Sequence, residues 1–212
     1  MTAVLSLIVA LSAFAVSAIT LWLTHFRGGS VKMTRPTQIY FGPDGGKEGS
    51  PKVYVRAMLY STAKRGYVIE NLYARLSRGQ TSQAFSIWVH GDKAGLTRGS
   101  GLFVDQNGLT VAHHFLLPPD GALFQFAAGE YLVEIVARLV GKGTDFIICS
   151  EKISLHASEA DQVRDKSAGV YFDWGPHTNS YHSHIDKKPP KEDFLLELIG
   201  HIAQENSIGS KK

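Results

Sequence analysis

The sequence predicts a mainly β protein, with an antiparallel β-sandwich between one N-terminal membrane helix and a short helical extension. Three observations lead there. Residues 4–23 carry no charge, segments between residues 37 and 156 alternate apolar and polar side chains between turn signals, and residues 191–204 return to helical spacing. The predicted divisions are a transmembrane anchor at 1–27, a linker at 28–36, the sandwich domain at 37–156 and a C-terminal extension with two short helices at 157–212.

The uncharged N-terminal run favours a membrane anchor. Its twenty residues, Val4 to Leu23, form a helix long enough to cross the roughly 30 Å hydrocarbon core of a bilayer. A signal peptide is the first alternative, but no Lys or Arg precedes Arg27 and no small-residue cleavage site closes the run. A buried core helix, the second alternative, would carry a polar stripe. Here only four hydroxyls interrupt the run, and such groups can bond to the carbonyl four residues earlier: Ser6, Ser12, Ser17 and Thr20.

The flanking charges predict which side of the membrane the domain occupies. Arg27, Lys32 and Arg35 follow the helix, so the positive-inside rule favours a cytoplasmic domain, with the extracytoplasmic side as the alternative. The one cysteine, Cys149, excludes an intramolecular disulfide and fits a reducing compartment. The lipid bilayer is thus the first predicted partner.

Composition limits the other partners. The chain has 212 residues, a net charge of +3 and 19% charged residues of mixed sign. A nucleic-acid-binding domain would show a concentrated basic stripe, so no nucleic-acid partner is predicted. No sequence motif indicates a cofactor or a catalytic group, and the oligomeric state is left open.

Alternation of apolar and polar residues marks the strands. It is clearest in Lys52 to Ser61, Tyr67 to Arg78 and Gly129 to Val140. Asn107-Gly108 is a strong hairpin signal between two of the shorter segments. About eight strands without interleaved helices favour an antiparallel sandwich. The shorter segments are Thr37 to Phe41, Ser82 to His90, Leu102 to Val104, Leu109 to Leu117, Asp145 to Leu155 and Gly169 to Trp174.

The last quarter of the chain predicts two helices. Ser158 to Asp161 has the spacing of a capping box that opens a short helix ending near Lys166. Lys191 to Gln204 has an amphipathic pattern, and we expect it to cover a face of the sandwich.

Two resemblances follow from short motifs. Ala127 to Tyr131, at the start of a long alternating strand, resembles the F–G region of immunoglobulin-like sandwiches, which implies that the Tyr131 hydroxyl bonds the upstream backbone. The whole chain resembles an uncharacterised family of bacterial single-pass membrane proteins, which implies no activity. That second likeness is carried by Gly99 to Val104, His113 to Pro118 and Tyr171 to Pro176.

The densest set of candidate ligating side chains is at 173–186. His182 and His184 would lie on one side of a strand, and His177 could complete a metal site. A solvated segment with incidental histidines is the alternative. His113 is expected to be a histidine at the core edge, and Cys149 a buried small apolar residue.

Surface aromatic residues suggest a face for a ligand or a partner. Trp88, Trp174 and Tyr181 are the candidates, and coverage by the chain's own C-terminal helix is the alternative. The predicted function is therefore a membrane-anchored, non-catalytic interaction module that binds a protein partner. A metal-binding envelope protein and a carbohydrate-binding sandwich are the alternatives.

Overall fold

A computed structural model describes residues 2–23, 28–44, 49–91, 95–118, 124–166 and 168–187. Two α-helices and thirteen strands follow one another along these ranges. The helices are α1 (Thr2–Leu21) and α2 (Ala157–Arg164). The strands are β1 (Val31–Met33), β2 (Gln38–Pro43), β3 (Pro51–Ser61), β4 (Tyr67–Arg78), β5 (Thr81–Phe85), β6 (Ile87–His90), β7 (Thr97–Arg98), β8 (Leu102–Val104), β9 (Leu109–Leu116), β10 (Gly129–Leu139), β11 (Phe146–Leu155), β12 (Gly169–Gly175) and β13 (Ser180–Asp186).

Helix α1 confirms the predicted N-terminal apolar helix. It is long and apolar enough to cross a membrane, criteria that a signal sequence near an N-terminus also meets. None of its residues is buried against the rest of the protein. Each hydroxyl in the helix donates to the carbonyl four residues earlier, so the helix satisfies its own polar side chains. These bonds join Ser6 to Thr2, Ser12 to Ile8, Ser17 to Ala13 and Thr20 to Val16 at 2.7–3.0 Å.

The strands form two antiparallel sheets, which confirms the mainly β prediction. The larger has the order β13-β12-β2-β3-β9-β6-β7, and β1 pairs with β3 beside β2. The smaller has the order β11-β10-β4-β5, and β8 pairs with the start of β4. One hydrophobic core joins the two sheets, since inward side chains of β3 and β4 belong to the same buried cluster.

The predicted linker contributes to the larger sheet. Val31 and Met33 are buried, and β1 pairs with the end of β3. Just before β1, the Tyr67 hydroxyl donates to the Gly29 carbonyl at 2.7 Å, and the Gly29 N–H donates back to it at 3.0 Å. Hydrogen bonds therefore join the chain to the globular domain from Gly29 onwards.

Two predicted local structures are wrong, for one reason. The strand predicted from Ser82 to His90 is broken at Ser86, because β5 pairs with β4 in the small sheet and β6 with β9 in the large one. The Asn107-Gly108 turn does not close a hairpin, because β8 pairs with β4 and β9 with β3. In both places, between β5 and β6 and between β8 and β9, the chain passes from the small sheet to the large one. A local turn signal does not show with which strand the next segment pairs.

The C-terminal region extends the large sheet. Helix α2 begins one residue before the predicted capping box, and the Glu159 carboxylate accepts from the His156 N–H at 2.8 Å. Strand β12 then pairs with β2, and β13 forms the sheet edge. The predicted helix from Lys191 to Gln204 lies outside the described residues.

Candidate functional site

A cleft of about 590 Å³ opens where the β12–β13 hairpin extends the large sheet past edge strand β11 of the small one. Alternation of side chains along the hairpin turns Phe172, Trp174, Tyr181 and Ser183 toward this cleft. The opposite wall is the edge of β11 and the β1–β2 connection. The remaining lining residues are Ser150, Glu151, Lys152, Ile153 and Ser154 of β11, His156 after it, Arg35 of the β1–β2 connection, and Asn179 and Ser180 at the β12–β13 turn.

Two aromatic residues predicted as a binding face meet in the cleft. Trp174 and Tyr181 are direct partners in the β12–β13 register, and their ring centroids lie 5.1 Å apart in an edge-to-face arrangement. The Arg35 guanidinium carbon lies 4.1 Å from the centroid of the Trp174 ring, within the range of a cation–π contact. The structure thus brings together two of the three predicted aromatic residues, Trp174 and Tyr181, and adds Arg35, which the sequence analysis did not predict.

Hydrogen bonds hold these three side chains in place. Arg35 Nε lies 2.9 Å from Glu151 Oε1, and this bond raises the pKa of Arg35 above its ordinary value. The Tyr181 hydroxyl donates to the Pro36 carbonyl at 2.8 Å, and burial raises the pKa of Tyr181. Tyr181 therefore acts as a fixed neutral hydrogen-bonding group, not as an acid or a base at neutral pH.

The cleft lies beside a strand edge that has no strand partner among the described residues. Within the described residues β11 pairs with β10 alone, so the backbone groups on the other side of this edge strand have no strand partner. Cys149, on the same strand, has its pKa raised to about 12, chiefly by burial, and this keeps the thiol protonated and poorly nucleophilic. Aromatic rings beside a free strand edge suit an extended peptide.

The three predicted metal-ligating histidines lie near one another without converging. His184 Nδ1 is 2.9 Å from Asp173 Oδ2, and His182 Nε2 is 2.8 Å from Thr178 Oγ1. The His177 and His182 rings are stacked at 6.4 Å between centroids. No group of three His, Cys, Asp or Glu side chains in the described ranges is arranged to hold a metal ion.

Trp88, the third predicted aromatic of the binding face, lies in the core with an exposed fraction of 2%. The break at Ser86 reverses which side of β6 faces inward, so the ring is buried beside His113. Trp88 Nε1 donates to His113 Nδ1 at 3.2 Å. Trp88 is therefore not on a surface that a ligand can reach.

The predicted core-edge histidine, His113, is fully buried. Because Nδ1 accepts from Trp88, the ring proton is on Nε2, which has no hydrogen-bond partner among the described residues. Burial, with smaller contributions from His90 and His114, lowers the pKa of His113 to about 3. The imidazole is neutral in the folded protein.

Sequence reasoning missed a row of five rings across the outer face of the large sheet. Neighbours in this row are direct register partners on β13, β12, β2, β3 and β9. Tyr40 is only 4% exposed because its ring lies across Gly42 and Gly169, where a Cβ atom would collide with it. Register alone creates the row, so no local pattern could have shown it. Its members are His184, Tyr171, Tyr40, Tyr54 and His114.

Comparisons with known proteins add little to this geometry. Among solved structures, a protein described as late embryogenesis abundant and determined in solution matches with 11% identity and a TM-score of 0.33, over 72% of this chain and 85% of that chain. Values this low establish neither a shared fold nor a shared activity. No family model matches the chain, and no curated protein matches it. The resemblance to a family of bacterial membrane proteins stays a prediction.

Proposed function

We propose that this chain is a single-pass membrane protein whose globular domain is a non-catalytic module that binds a protein partner beside the bilayer. Helix α1 carries the proposal. It is wholly exposed, apolar, and satisfies its own hydroxyl groups, so its surface suits lipid better than water. The positive-inside rule supports a cytoplasmic domain.

We further propose that the domain is an immunoglobulin-like sandwich. Strands β2-β3-β9-β6 and β11-β10-β4-β5 follow the order of strands A-B-E-D and G-F-C-C′ in such domains. Tyr131, near the start of β10, donates its hydroxyl to the Ala127 carbonyl at 2.7 Å and accepts from the Ala127 N–H at 3.0 Å. These bonds support the proposal, because they are the contact expected of a tyrosine corner.

The partner segment proposed for the cleft is an extended polypeptide. It would pair with the free edge of β11, and its side chains would contact Trp174 and Tyr181. Backbone hydrogen bonds supply affinity in this mode, and pockets for alternate side chains supply specificity. Arg35 adds a cation that is already positioned by Glu151 and Trp174.

Site-specific photocross-linking in the native membrane tests this function. A cross-linking residue replaces Ser154, which is exposed and lines the cleft, and in a matched control it replaces Gln80, which is exposed on the β4–β5 turn at the opposite edge of the small sheet. We expect a discrete adduct of one protein from position 154 alone, and we expect Trp174→Ala to abolish it. Equal adducts from both positions, or no effect of Trp174→Ala, would contradict a binding role for the cleft.

A further inference from the structure

Three exposed apolar side chains form a row across one end of the small sheet. Phe103 and Val68 are register partners on β8 and β4, and the Val140 N–H donates to the Val68 carbonyl at 3.0 Å. Their exposed fractions are 62%, 40% and 60%. Among the described residues of the globular part, only Ile147 is another large apolar side chain so exposed. We call Phe103, Val68 and Val140 the apolar row.

Local packing and backbone direction keep the side chains of the apolar row exposed. The Phe103 ring packs on Gly66, at the turn before β4, where a Cβ atom would overlap its edge. Val140 follows the last residue of β10, and the buried Leu139 beside it sets the outward direction of its side chain. The row therefore points away from the core while its backbone stays hydrogen-bonded, so burying it requires another surface.

Basic side chains cluster at the same end. The Arg65 guanidinium and the Lys142 ammonium both lie 5.6 Å from the centroid of the Tyr67 ring, and Lys64 is exposed on the adjoining turn. Three acids border this end: Asp145 is paired with Arg138 at 2.6 Å, Asp105 accepts from the Asn107 N–H, and Glu70 is exposed on β4. We call the cluster of Lys64, Arg65 and Lys142 the basic end. Its three cations outnumber Asp105 and Glu70, so the charge at this end is positive on balance.

The chain enters the domain at this end. The Tyr67 ring lies beneath the Arg65 and Lys142 cations. Its hydroxyl also hydrogen-bonds both the N–H and the carbonyl of Gly29. Six residue steps separate Gly29 from Leu23, so the two lie at most about 22 Å apart even if the chain is fully extended. If α1 spans a bilayer, the basic end and the apolar row must both lie within reach of its headgroups.

We propose that this end of the domain binds the anionic surface of the bilayer, with the basic end on lipid phosphates and the apolar row in the interface. The inference rests on the proposed membrane anchoring. Basic residues beside an anionic membrane each strengthen binding about fivefold, and apolar side chains at the headgroup level add buried area. Such a contact would fix the orientation of the domain on the bilayer.

Vesicle flotation of residues 28–212 tests the contact without the helix. The fragment retains the whole core, because α1 contributes no buried residue to it. We expect it to float with phosphatidylserine-containing vesicles, to release at high salt, and not to float with pure phosphatidylcholine. Equal flotation with both lipids, or none with either, would overturn the proposal.

Matched variants locate the contact. We expect Arg65→Ala with Lys142→Ala to weaken binding roughly 25-fold, and Phe103→Ser to weaken it as well. The controls are Lys152→Ala, an exposed cation in the cleft, and Ile147→Ser, an exposed apolar residue outside the row. Circular dichroism verifies that each variant folds. Equal losses in the controls would contradict this surface, whereas retention of the full chain in membranes tests the anchor independently.

Discussion

The buried imidazole of His113 predicts that the domain loses stability in mild acid. Its pKa is about 3 in the folded protein and 6.5 as an ordinary histidine. Between these values the unfolded chain binds one more proton than the folded one, so the free energy of unfolding rises with pH across this window and falls on acidification. Each pH unit well inside the window is worth about 1.4 kcal/mol.

The expected loss can be worked out for an accessible range. From pH 7.5 to pH 5.0, binding of the proton to the unfolded chain alone removes about 2 kcal/mol. Burial also lowers the pKa of His90, which therefore contributes with the same sign. A domain of this size has roughly 5–15 kcal/mol of stability in total, so the effect is large enough to measure.

His113→Leu removes this titration. The substitution eliminates the unpaired Nε2 but leaves Trp88 Nε1 without its acceptor, and the two changes of about 1–3 kcal/mol have opposite sign. We therefore expect a similar stability at pH 7.5 and a pH slope flattened by about 2 kcal/mol over the range. Urea unfolding of residues 28–212, followed by tryptophan fluorescence, measures both.

Ile147→Ser serves as the control, since Ile147 is exposed and carries no titratable group. It should keep the wild-type slope. A slope in His113→Leu as steep as that of the wild-type domain would refute the assignment of a neutral buried imidazole.

Three further predictions concern the fold and the orientation in the membrane. Tyr131→Phe removes both bonds to Ala127 and should cost about 1–3 kcal/mol in urea unfolding, whereas Tyr73→Phe, at an exposed hydroxyl, should cost little. In Gly169→Ala the new methyl group overlaps the Tyr40 ring, which must move, so the free energy of unfolding should fall by about 1–3 kcal/mol. In Gly143→Ala the methyl group has no atom close to it, so stability should hardly change. A reporter fused to the C-terminus should be active in the cytoplasm; activity outside would reverse the positive-inside assignment.

Local alternation in the sequence predicts the long strands well. Tyr67–Arg78 has the bounds that the pattern predicts, because its inward residues enter one continuous core. The pattern is less informative where the chain changes sheet. Phe85 and Trp88 are both buried, and an odd separation of three residues cannot share one face of a regular strand.

The candidate site could be predicted only in part. Trp174 and Tyr181 are recognisable as aromatic residues near a turn, but their contact depends on the register that the Pro176–Asn179 turn sets between β12 and β13. Arg35 comes from a segment 116 residues before its partner Glu151. Pairings at that distance follow from sheet order, which composition and periodicity do not contain.

Alkaline extraction of membranes tests the anchoring most directly. The full chain should stay with the bilayer at high pH. Residues 28–212 lack α1 and would touch the bilayer only at its surface, so they should be released. Release of the full chain into the soluble fraction, with residues 1–23 shown intact by mass spectrometry, would contradict a single-pass membrane protein.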